Sequence, residues 1–362
     1  MITVTKPTLP NLSEILPELE DVWSSGFVTN NGNYVRQFEI ELSNYLDVSN
    51  ISVVSNATNG LLLALKALNI TGEVITSPYS FVATTHVLSW LNLKPVFVDT
   101  DKFGNLDPDK IESAITEKTT AILPIHVYGR PCDMEKISGI AEKHNLKIIY
   151  DAAHAFGVSV NQESILNAGD ISVLSFHATK VFNTLEGGAV VCKDKELKKK
   201  IDLLRNFGIE DEETVSECGI NCKLDELRAI IGLNNLKTID KDIKKRKIIF
   251  DKYKSELSDF ETLEIPKNVQ FNYGYFPIFV NNRDKIYDVL KDNGILARKY
   301  FYPLISNLPM YSDLESSKNL PNANKISESV LCLPIYPDLK SEEQNLIIKL
   351  IKQHSDIVLQ KF

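Results

Sequence analysis

Three short segments of the sequence combine residue types that suit an anion, a buried charge and a nucleophile. The first is SNATNG, residues 55–60, which lies between a predicted strand and a helix predicted over 61–68. Small and hydroxyl residues at a helix N-terminus leave backbone N–H groups available to bind a phosphate. An ordinary helix cap is the alternative, because Ser, Asn and Thr also serve that purpose.

The second segment begins with Asp151 and contains His154. A carboxylate at the end of a buried strand is unfavourable unless it meets a cation, so the sequence predicts a positively charged partner for Asp151. The alternative is an aspartate that caps a helix. His154, taken by itself, is more typical of a packed or hydrogen-bonded histidine than of a catalytic one.

The third segment runs from Ser175, at the end of another predicted strand, to Lys180. A lysine in a neutral loop can be desolvated enough to act as an amine nucleophile, although most lysines simply lie at the surface. A phosphate site, a carboxylate and an amine at one sheet edge together match the needs of pyridoxal 5′-phosphate. The phosphate is anchored, Asp151 keeps the ring nitrogen protonated, and the aldehyde bonds to Lys180.

The predicted strands and helices around these three segments indicate how the segments come together in the fold. Short β-branched runs alternate with helical periodicity from about residue 50 to 192, which predicts a mostly parallel sheet with helices on both faces. Ligands of such a sheet bind beyond the carboxyl ends of its strands. No helical pattern separates the last two strands, so we expect the last one to be antiparallel to its predecessor. The predicted strands are 51–54, 74–76, 95–98, 121–125, 147–150, 171–175 and 189–192.

Two domains are predicted, with a boundary near residue 245. The large cofactor-binding domain covers 1–245, including the N-terminal segment, and a small C-terminal domain covers 246–362. A long, lysine-rich helix predicted over 239–257 suits the connection between them. In the small domain, a strand over 275–280 and a helix over 285–292 indicate a mixed α/β unit.

The composition is that of a globular protein, with 43% hydrophobic and 24% charged residues among 362. The net charge of −8 argues against nucleic-acid binding. The sequence contains no run of 18 apolar residues, so it predicts no membrane-spanning helix. The N-terminus lacks the pattern of a secretory signal, and the five cysteines form no disulfide framework. We therefore expect a cytoplasmic protein.

Other ligand fingerprints are missing from the sequence. Neither G-x-G-x-x-G nor G-x-x-x-x-G-K-[ST] occurs, so the usual NAD and ATP motifs are excluded. Cys218 and Cys222 have a spacing that occurs in zinc sites, but no second Cys or His pair follows them. We predict no metal site.

The order of motifs resembles the DegT-type sugar aminotransferases, which are pyridoxal phosphate enzymes with the aspartate aminotransferase fold. The resemblance runs from about residue 5 to the end, and the combination of SFHATK, DAAHA and GGAV is highly specific. It implies a fold-type I α/β architecture, with a seven-stranded mostly parallel sheet in the large domain, and a sugar-nucleotide transaminase activity that depends on pyridoxal 5′-phosphate. The motifs are SNATNG, SPYSFVATTHV, PVFVDTD, ILPIHVYGRPCDM, IIYDAAHAFG, SFHATK, LEGGAVV, LLRNFG, GINCKLDELRAIIGL and LPIYPDL.

This resemblance also implies roles for single residues. Lys180 would bond to the cofactor and carry the proton, Asp151 would pair with the ring nitrogen, and His154 would sit by the 3-hydroxyl. The other residues implied to bind the cofactor are Ala57, Thr58 and Ser175 at the phosphate, Phe81 over the ring, and Asn221, which would reach the phosphate from the partner subunit.

Two positions depart from the family pattern. Ala57 precedes Thr58 where most members have Gly-Thr, which keeps the hydroxyl and costs some backbone freedom. Lys223 stands where Arg is more common, which puts a bidentate contact with an anion in doubt.

The implied reaction moves the amino group of L-glutamate to a nucleotide-linked ketosugar in a homodimer with shared active sites. The segments VTKPTLPNLSEILPELEDVW and GFVTNNG most resemble enzymes that aminate dTDP-4-keto-6-deoxy-D-glucose to dTDP-4-amino-4,6-dideoxy-D-glucose. The alternative substrates are a UDP-linked, a GDP-linked or a 3-keto sugar. The alternative to an enzyme is a cofactor-binding regulator or scaffold. A sugar dehydratase of this fold would have His in place of Lys180. Candidate sugar-binding residues are Tyr79, Arg298 and Tyr300.

Overall fold

The computed structural model describes residues 1–355, and its strands form one large sheet and several small ones. The strands are β1 (Ile2–Thr3), β2 (Ile51–Val54), β3 (Glu73–Thr76), β4 (Lys94–Phe97), β5 (Thr119–Leu123), β6 (Lys147–Asp151), β7 (Ser159–Val160), β8 (Glu163–Ser164), β9 (Ile171–Ser175), β10 (Gly188–Cys192), β11 (Glu261–Thr262), β12 (Val269–Gln270), β13 (Phe276–Phe279), β14 (Ile295–Leu296) and β15 (Val330–Leu333).

Amphipathic helices flank these sheets. They are α1 (Leu12–Ser25), α2 (Asn33–Leu46), α3 (Ala57–Ala67), α4 (Ala83–Trp90), α5 (Met134–His144), α6 (Lys195–Leu204), α7 (Glu226–Leu236), α8 (Ile239–Glu256), α9 (Arg283–Asp292), α10 (Pro321–Ser329) and α11 (Ser341–His354). Within residues 1–355, no helix has both the length and the apolar character needed to cross a membrane.

The large sheet has seven strands in the order β2-β10-β9-β6-β5-β3-β4. All seven predicted strands belong to it, with bounds that differ from the predicted ones by at most two residues. β10 pairs antiparallel with both of its neighbours, which confirms the expected reversal. The chain between β9 and β10 contains no helix to form the crossover that a parallel return requires, so it returns as an antiparallel strand. The predicted α/β fold class is confirmed.

Helix α3 begins at Ala57, one turn before the predicted start at residue 61. The side chain of Asn56 accepts a hydrogen bond from the Asn59 amide at 2.8 Å and caps the helix. Gly60 lies in the first turn, where a Cβ would come within 2.8 Å of Val173 Cγ1 in β9. The sequence prediction missed this turn because its residues are small and polar and carry no apolar periodicity.

The chain after α8 forms a three-stranded sheet, β11-β13-β15, together with α9, α10 and α11. The predicted domain boundary at residue 245 falls inside α8 and stays a prediction. The N-terminal strand β1 pairs in parallel with β14, so the chain start and this C-terminal part are joined by backbone hydrogen bonds.

An aromatic cluster supports the loops that follow β6 and β9. The rings of Phe156 and Phe182 stack with centroids 4.3 Å apart, and Phe176 packs edge-on against Phe182 at 5.1 Å. All three side chains are buried. Offset and edge-to-face aromatic pairs favour a defined geometry, so the cluster fixes the two loops that carry His154 and Lys180.

Candidate active site

A cavity of about 630 Å³ lies beyond the carboxyl ends of the parallel strands, where the sequence predicts a ligand site. Its walls come from the segments after β2, β3, β5, β6 and β9, with additional residues from α7 and from the C-terminal part of the chain. The predicted site residues that line it are Ala57, Thr58, Phe81, Asp151, His154, Ser175 and Lys180.

One end of the cavity is the N-terminus of α3. The amides of Asn59 and Gly60 are hydrogen-bonded to Asn56, whereas those of Ala57 and Thr58 precede the first intrahelical bond. A Cβ on Gly188 of β10 would lie 2.8 Å from the Ala57 nitrogen. Glycine at this position therefore keeps the first amide of the helix accessible to an anion, which the helix dipole also favours.

The carboxyl group of Asp151 lies at the end of β6 and is buried. Its Oδ2 accepts a hydrogen bond from Thr84 Oγ1 at 2.7 Å, and its Oδ1 accepts one from the Ala153 amide at 3.1 Å. Burial raises the pKa of Asp151, although these two hydrogen bonds and the charge of Lys180 oppose the shift. A cation placed against this carboxyl group would relieve its desolvation.

The Lys180 side chain extends from the loop after β9, and its amine donates a hydrogen bond to the Tyr275 hydroxyl at 3.3 Å. Desolvation by burial lowers the pKa of Lys180 to about 8, while the charge of Asp151 acts in the opposite direction. A much larger fraction of this amine is therefore neutral near physiological pH than in an ordinary lysine.

His154 is buried, and its Nδ1 accepts a hydrogen bond from the Tyr128 amide at 3.1 Å. Burial, and secondarily the charge of Lys180, lowers the pKa of His154 well below its ordinary value, so the ring is neutral. With Nδ1 acting as an acceptor, the hydrogen resides on Nε2. This tautomer provides a hydrogen-bond donor in the wall of the cavity.

Phe81 and Ser175 contribute an aromatic face and a hydroxyl group to the cavity. The Phe81 side chain is 61% exposed, which is unusual for so large an apolar ring and leaves its face open to a flat ligand. Ser175 is the last residue of β9, and its Oγ accepts a long hydrogen bond of 3.4 Å from the His177 amide.

Asn221 is the one predicted site residue that lies outside the cavity of its own chain. It is exposed and forms an isolated antiparallel bridge with Asn206. Lys223, two residues further on, donates a hydrogen bond from Nζ to Asn206 Oδ1 at 2.8 Å, and its amine lies 4.9 Å from the centroid of the Phe207 ring. The structure of one chain therefore brings neither residue to the cofactor-sized cavity.

Comparisons with known proteins identify the family. The model of the DegT/DnrJ/EryC1/StrS aminotransferase family matches residues 11–352. The chain belongs to this family.

Relatives and solved structures match along nearly the whole length. The chain is 48% identical to a dTDP-4-amino-4,6-dideoxy-D-glucose transaminase from Escherichia coli, with 97% of each chain covered. It is 46% identical to the enzyme of that name from Shigella dysenteriae, over 97% of this chain and 98% of the relative. The crystal structure of DesI in the presence of its TDP-sugar product superposes with a TM-score of 0.93 at 32% identity, covering 97% and 92% of the two chains.

Membership in the DegT/DnrJ/EryC1/StrS family confirms the predicted enzyme class, a sugar transaminase that uses pyridoxal 5′-phosphate. The cavity suits that cofactor. It combines accessible helix amides for a phosphate, a buried carboxyl group that needs a cation, and a lysine amine whose lowered pKa favours the neutral form. Within residues 1–355, no cluster of three or more His, Cys, Asp or Glu side chains has the arrangement of a metal site.

Several residues of this aminotransferase cavity were not predicted from the sequence. They are Thr84, which hydrogen-bonds Asp151, Tyr275, which holds the Lys180 amine, and Arg228, whose Nη1 lies 3.2 Å from Asp225 Oδ2. Thr84 and Arg228 lie inside segments that carry the family resemblance, SPYSFVATTHV and GINCKLDELRAIIGL. Tyr275 stands at the predicted start of a strand, and nothing local distinguishes it.

The three candidate sugar-binding residues have different positions. Tyr300 lines the cavity, and Arg298 lines a second cavity beside it. Tyr79 is completely buried beneath the wall, where its hydroxyl donates a hydrogen bond to the Tyr300 carbonyl at 2.7 Å. Tyr79 therefore supports Tyr300 and has no access to a ligand in either cavity.

Proposed function

We propose that this aminotransferase moves the amino group of L-glutamate to dTDP-4-keto-6-deoxy-D-glucose and produces dTDP-4-amino-4,6-dideoxy-D-glucose. The observation that carries the substrate assignment is the 48% identity, over 97% of both chains, to a transaminase named for that product. By contrast, a GDP-perosamine synthase from Vibrio cholerae is 30% identical. The VTKPTLPNLSEILPELEDVW and GFVTNNG segments, outside the catalytic loops, fit the same assignment.

When bound, pyridoxal 5′-phosphate supplies an aldehyde for the amino group and a protonated ring that takes up negative charge. In this proposal, Lys180 would hold the cofactor at rest and, once released, would move a proton to and from the α-carbon of the amino donor. Asp151 would hold the proton on the ring nitrogen. His154 would donate its Nε2–H to the 3-oxygen of the cofactor and so orient the ring.

The remaining predicted residues hold and shield the cofactor. The amides of Ala57 and Thr58 and the hydroxyl of Ser175 would bind its phosphate. Phe81 would cover one face of its ring and exclude water from that side. The homodimer and the contribution of Asn221 to the partner's phosphate site are part of this proposal, as is the cytoplasmic location.

A substrate panel tests the function. The holoenzyme is incubated with L-glutamate and with dTDP-, UDP- or GDP-linked 4-keto-6-deoxy sugars, and the products are identified by mass spectrometry and NMR. We expect the highest kcat/KM with the dTDP-linked sugar and an equatorial amine at C4. A faster reaction with a UDP- or GDP-linked sugar would overturn the dTDP assignment. If L-glutamate never changes the absorbance of the bound cofactor, the result would favour a cofactor-binding regulator or scaffold.

A further inference from the structure

Asn272 is completely buried behind the cavity and is not one of the residues that line it. Its Nδ2 donates hydrogen bonds to the His154 carbonyl at 2.8 Å and to the Phe156 carbonyl at 3.0 Å, and its Oδ1 accepts one from the Gly274 amide at 3.1 Å. The reverse orientation of the amide would place Oδ1 against two carbonyl oxygens. Asn272 therefore joins the loop after β6 to the segment before β13, across 118 positions of the chain.

His154 is held through its main chain as well as through its ring. The Tyr128 amide donates to Nδ1 of the ring, while Asn272 binds the carbonyl of the same residue. The chain approaches closely here, since a Cβ on Gly129 would lie 2.6 Å from the His154 carbonyl oxygen and 3.3 Å from Asn272 Oδ1. The direction of the His154 Nε2–H is therefore determined by residues that do not line the cavity.

The same asparagine fixes the turn that leads to Tyr275. Its bond to the Gly274 amide closes a turn around Tyr273, whose φ of 55° lies in the left-handed region that residues other than glycine rarely adopt. A Cβ on Gly274 would come within 2.8 Å of Cγ2 of Val181, the residue after Lys180. The turn therefore packs against the lysine loop and presents the Tyr275 hydroxyl to the Lys180 amine.

Two residues that face the cavity thus share one support. The rings of His154 and Tyr275 lie with their centroids 4.5 Å apart, and each of the two segments that carry them is bonded to Asn272. A buried side-chain amide with three hydrogen bonds cannot shift without breaking at least one of them, and a buried polar group left without its partner is costly. Asn272 therefore keeps the two segments at a fixed separation.

We infer that Asn272 is a positioning residue, which sets the placement of His154 relative to Tyr275 and so aims the His154 Nε2–H and the Lys180 amine at one cofactor. The inference rests on the proposed function, because it uses the roles proposed there for His154 and Lys180. The alternative is an asparagine that only stabilises the fold. The two cases differ in what the bound cofactor reports.

The test compares holoenzyme variants by the visible circular dichroism of the bound cofactor, which reports how firmly the cofactor is held in one orientation, and by the rate at which L-glutamate changes its absorbance. Asn272→Ala is expected to weaken the dichroism per bound cofactor and to slow the reaction about 10- to 100-fold, the usual effect of displacing reacting groups by about 1 Å.

Asn272→Asp is the milder variant, and it provides the result if Asn272→Ala does not fold. It keeps the size of the side chain and an oxygen for the Gly274 amide, but it loses at least one of the two donated hydrogen bonds. Both the dichroism and the rate should change in the same direction as in Asn272→Ala, by less.

Gln344→Ala is the matched control. Gln344 is also buried, its side-chain amide donates to the Ile249 carbonyl at 2.8 Å, and it does not line the cavity. This substitution should lower the thermal unfolding midpoint, as Asn272→Ala does, while the dichroism and the rate stay unchanged. A lower midpoint of the Asn272 variants with unchanged dichroism and rate would contradict the inference.

A double-mutant cycle with Tyr275→Phe tests the route of the effect. If Asn272 acts through Tyr275 and His154, the two substitutions disturb the same arrangement. The double variant should then be slowed by less than the product of the two single effects. Single effects that multiply to within about 2-fold would show that the two residues act independently, which would overturn the inference.

The outcomes separate this inference from the proposed function, because neither measurement uses a ketosugar. An Asn272-dependent dichroism would support the inference even if the substrate panel rejects dTDP-4-keto-6-deoxy-D-glucose as the amino acceptor. Conversely, equal dichroism and rates in the unchanged protein and the Asn272 variants would overturn it even if the ketosugar is aminated as proposed.

Discussion

The Lys180 amine and the Tyr275 hydroxyl are 3.3 Å apart, although 95 positions separate the two residues in the chain. Burial raises the pKa of Tyr275 well above its ordinary value, so its hydroxyl keeps its proton and accepts the hydrogen bond from the amine through an oxygen lone pair. Tyr275 also packs against the His154 ring, with centroids 4.5 Å apart. Tyr275, which directly precedes β13, therefore positions both Lys180 and His154, two of the residues predicted to contact the cofactor.

Tyr275→Phe is expected to lower kcat about 3- to 10-fold, since it removes one neutral hydrogen bond that orients the Lys180 amine and keeps the ring that packs on His154. Steady-state kinetics with saturating L-glutamate and ketosugar measure the effect. Tyr273→Phe serves as the control, because Tyr273 packs on Phe250 and lies outside the cavity. Equal effects of both substitutions would remove Tyr275 from this role.

Lys180→Ala is expected to lower turnover at least about 100-fold, because Lys180 is the only lysine of residues 1–355 that lines the cavity and could move the proton. The protein should still fold and should bind the cofactor without a covalent bond, which denaturing gel filtration of the borohydride-treated sample would reveal. Lys195→Ala, at an exposed position in α6, is the control for a general effect of losing a lysine. Activity of Lys180→Ala above about one per cent would contradict its assigned role.

Asp151→Asn should slow the half-reaction with L-glutamate by orders of magnitude, because an amide cannot hold the ring nitrogen protonated. Thr84→Val should have a smaller effect in the same direction. It removes the hydrogen bond that lowers the pKa of Asp151 and so favours the protonated carboxyl group. Stopped-flow absorbance of the cofactor provides both rates. Unchanged rates in Asp151→Asn would mean that another group faces the ring nitrogen.

Capture of the cofactor by the apoenzyme is expected to depend on pH through Lys180. Only the neutral amine attacks the aldehyde, so the rate should rise with pH and level off above about 8, the lowered pKa of Lys180. An ordinary lysine would keep the rate rising toward 10.5. Because the negative charge of Asp151 raises this pKa, Asp151→Asn should shift the midpoint to lower pH. A shift to higher pH would show that the two groups do not interact in this way.

The strands of the large sheet and the positions of Asp151, Ser175 and Lys180 were predictable from the sequence, because each strand is a short β-branched run that ends in polar residues. Periodicity also predicted that β10 reverses, since no helix separates it from β9. The start of α3 was not predictable in this way, because a cap at Asn56 depends on local hydrogen bonding and adds no apolar residue.

Contacts between residues that are far apart in the sequence could not be predicted from it. Thr84 reaches Asp151 across 67 positions, and its hydroxyl is chemically the same as that of any other threonine. Similarly, only the fold distinguishes the Tyr275 hydroxyl from those of other tyrosines, because it brings this group to the Lys180 amine across 95 positions. Such roles depend on which side chains meet in the folded chain, and a single sequence does not show those meetings directly.

Asn221 provides the last prediction. It is exposed and lies outside its own cavity, whereas the family resemblance implies a contact with the cofactor phosphate of a second subunit. The alternative predicted from the sequence is that Asn221 only caps the following helix of its own subunit. In the structure Asp225 caps α7, so a role of Asn221 within its own chain would rest on the bridge to Asn206. In a twofold-symmetric dimer, both sites would receive this residue from the opposite subunit at the same time. Subunit mixing distinguishes the two cases, under cofactor concentrations at which Asn221→Ala alone is nearly inactive.

Lys180→Ala and Asn221→Ala chains are mixed and allowed to exchange subunits. If Asn221 acts across the interface, each heterodimer has one site with both defects and one intact site, so an equal mixture should regain about one quarter of the unchanged activity. A mixture of Lys180→Ala with Asp151→Asn is the control. These two residues line the same cavity of one chain, so every site keeps a defect and no activity returns. Failure of the first mixture to regain activity, despite heterodimers seen by native mass spectrometry, would assign Asn221 to its own subunit.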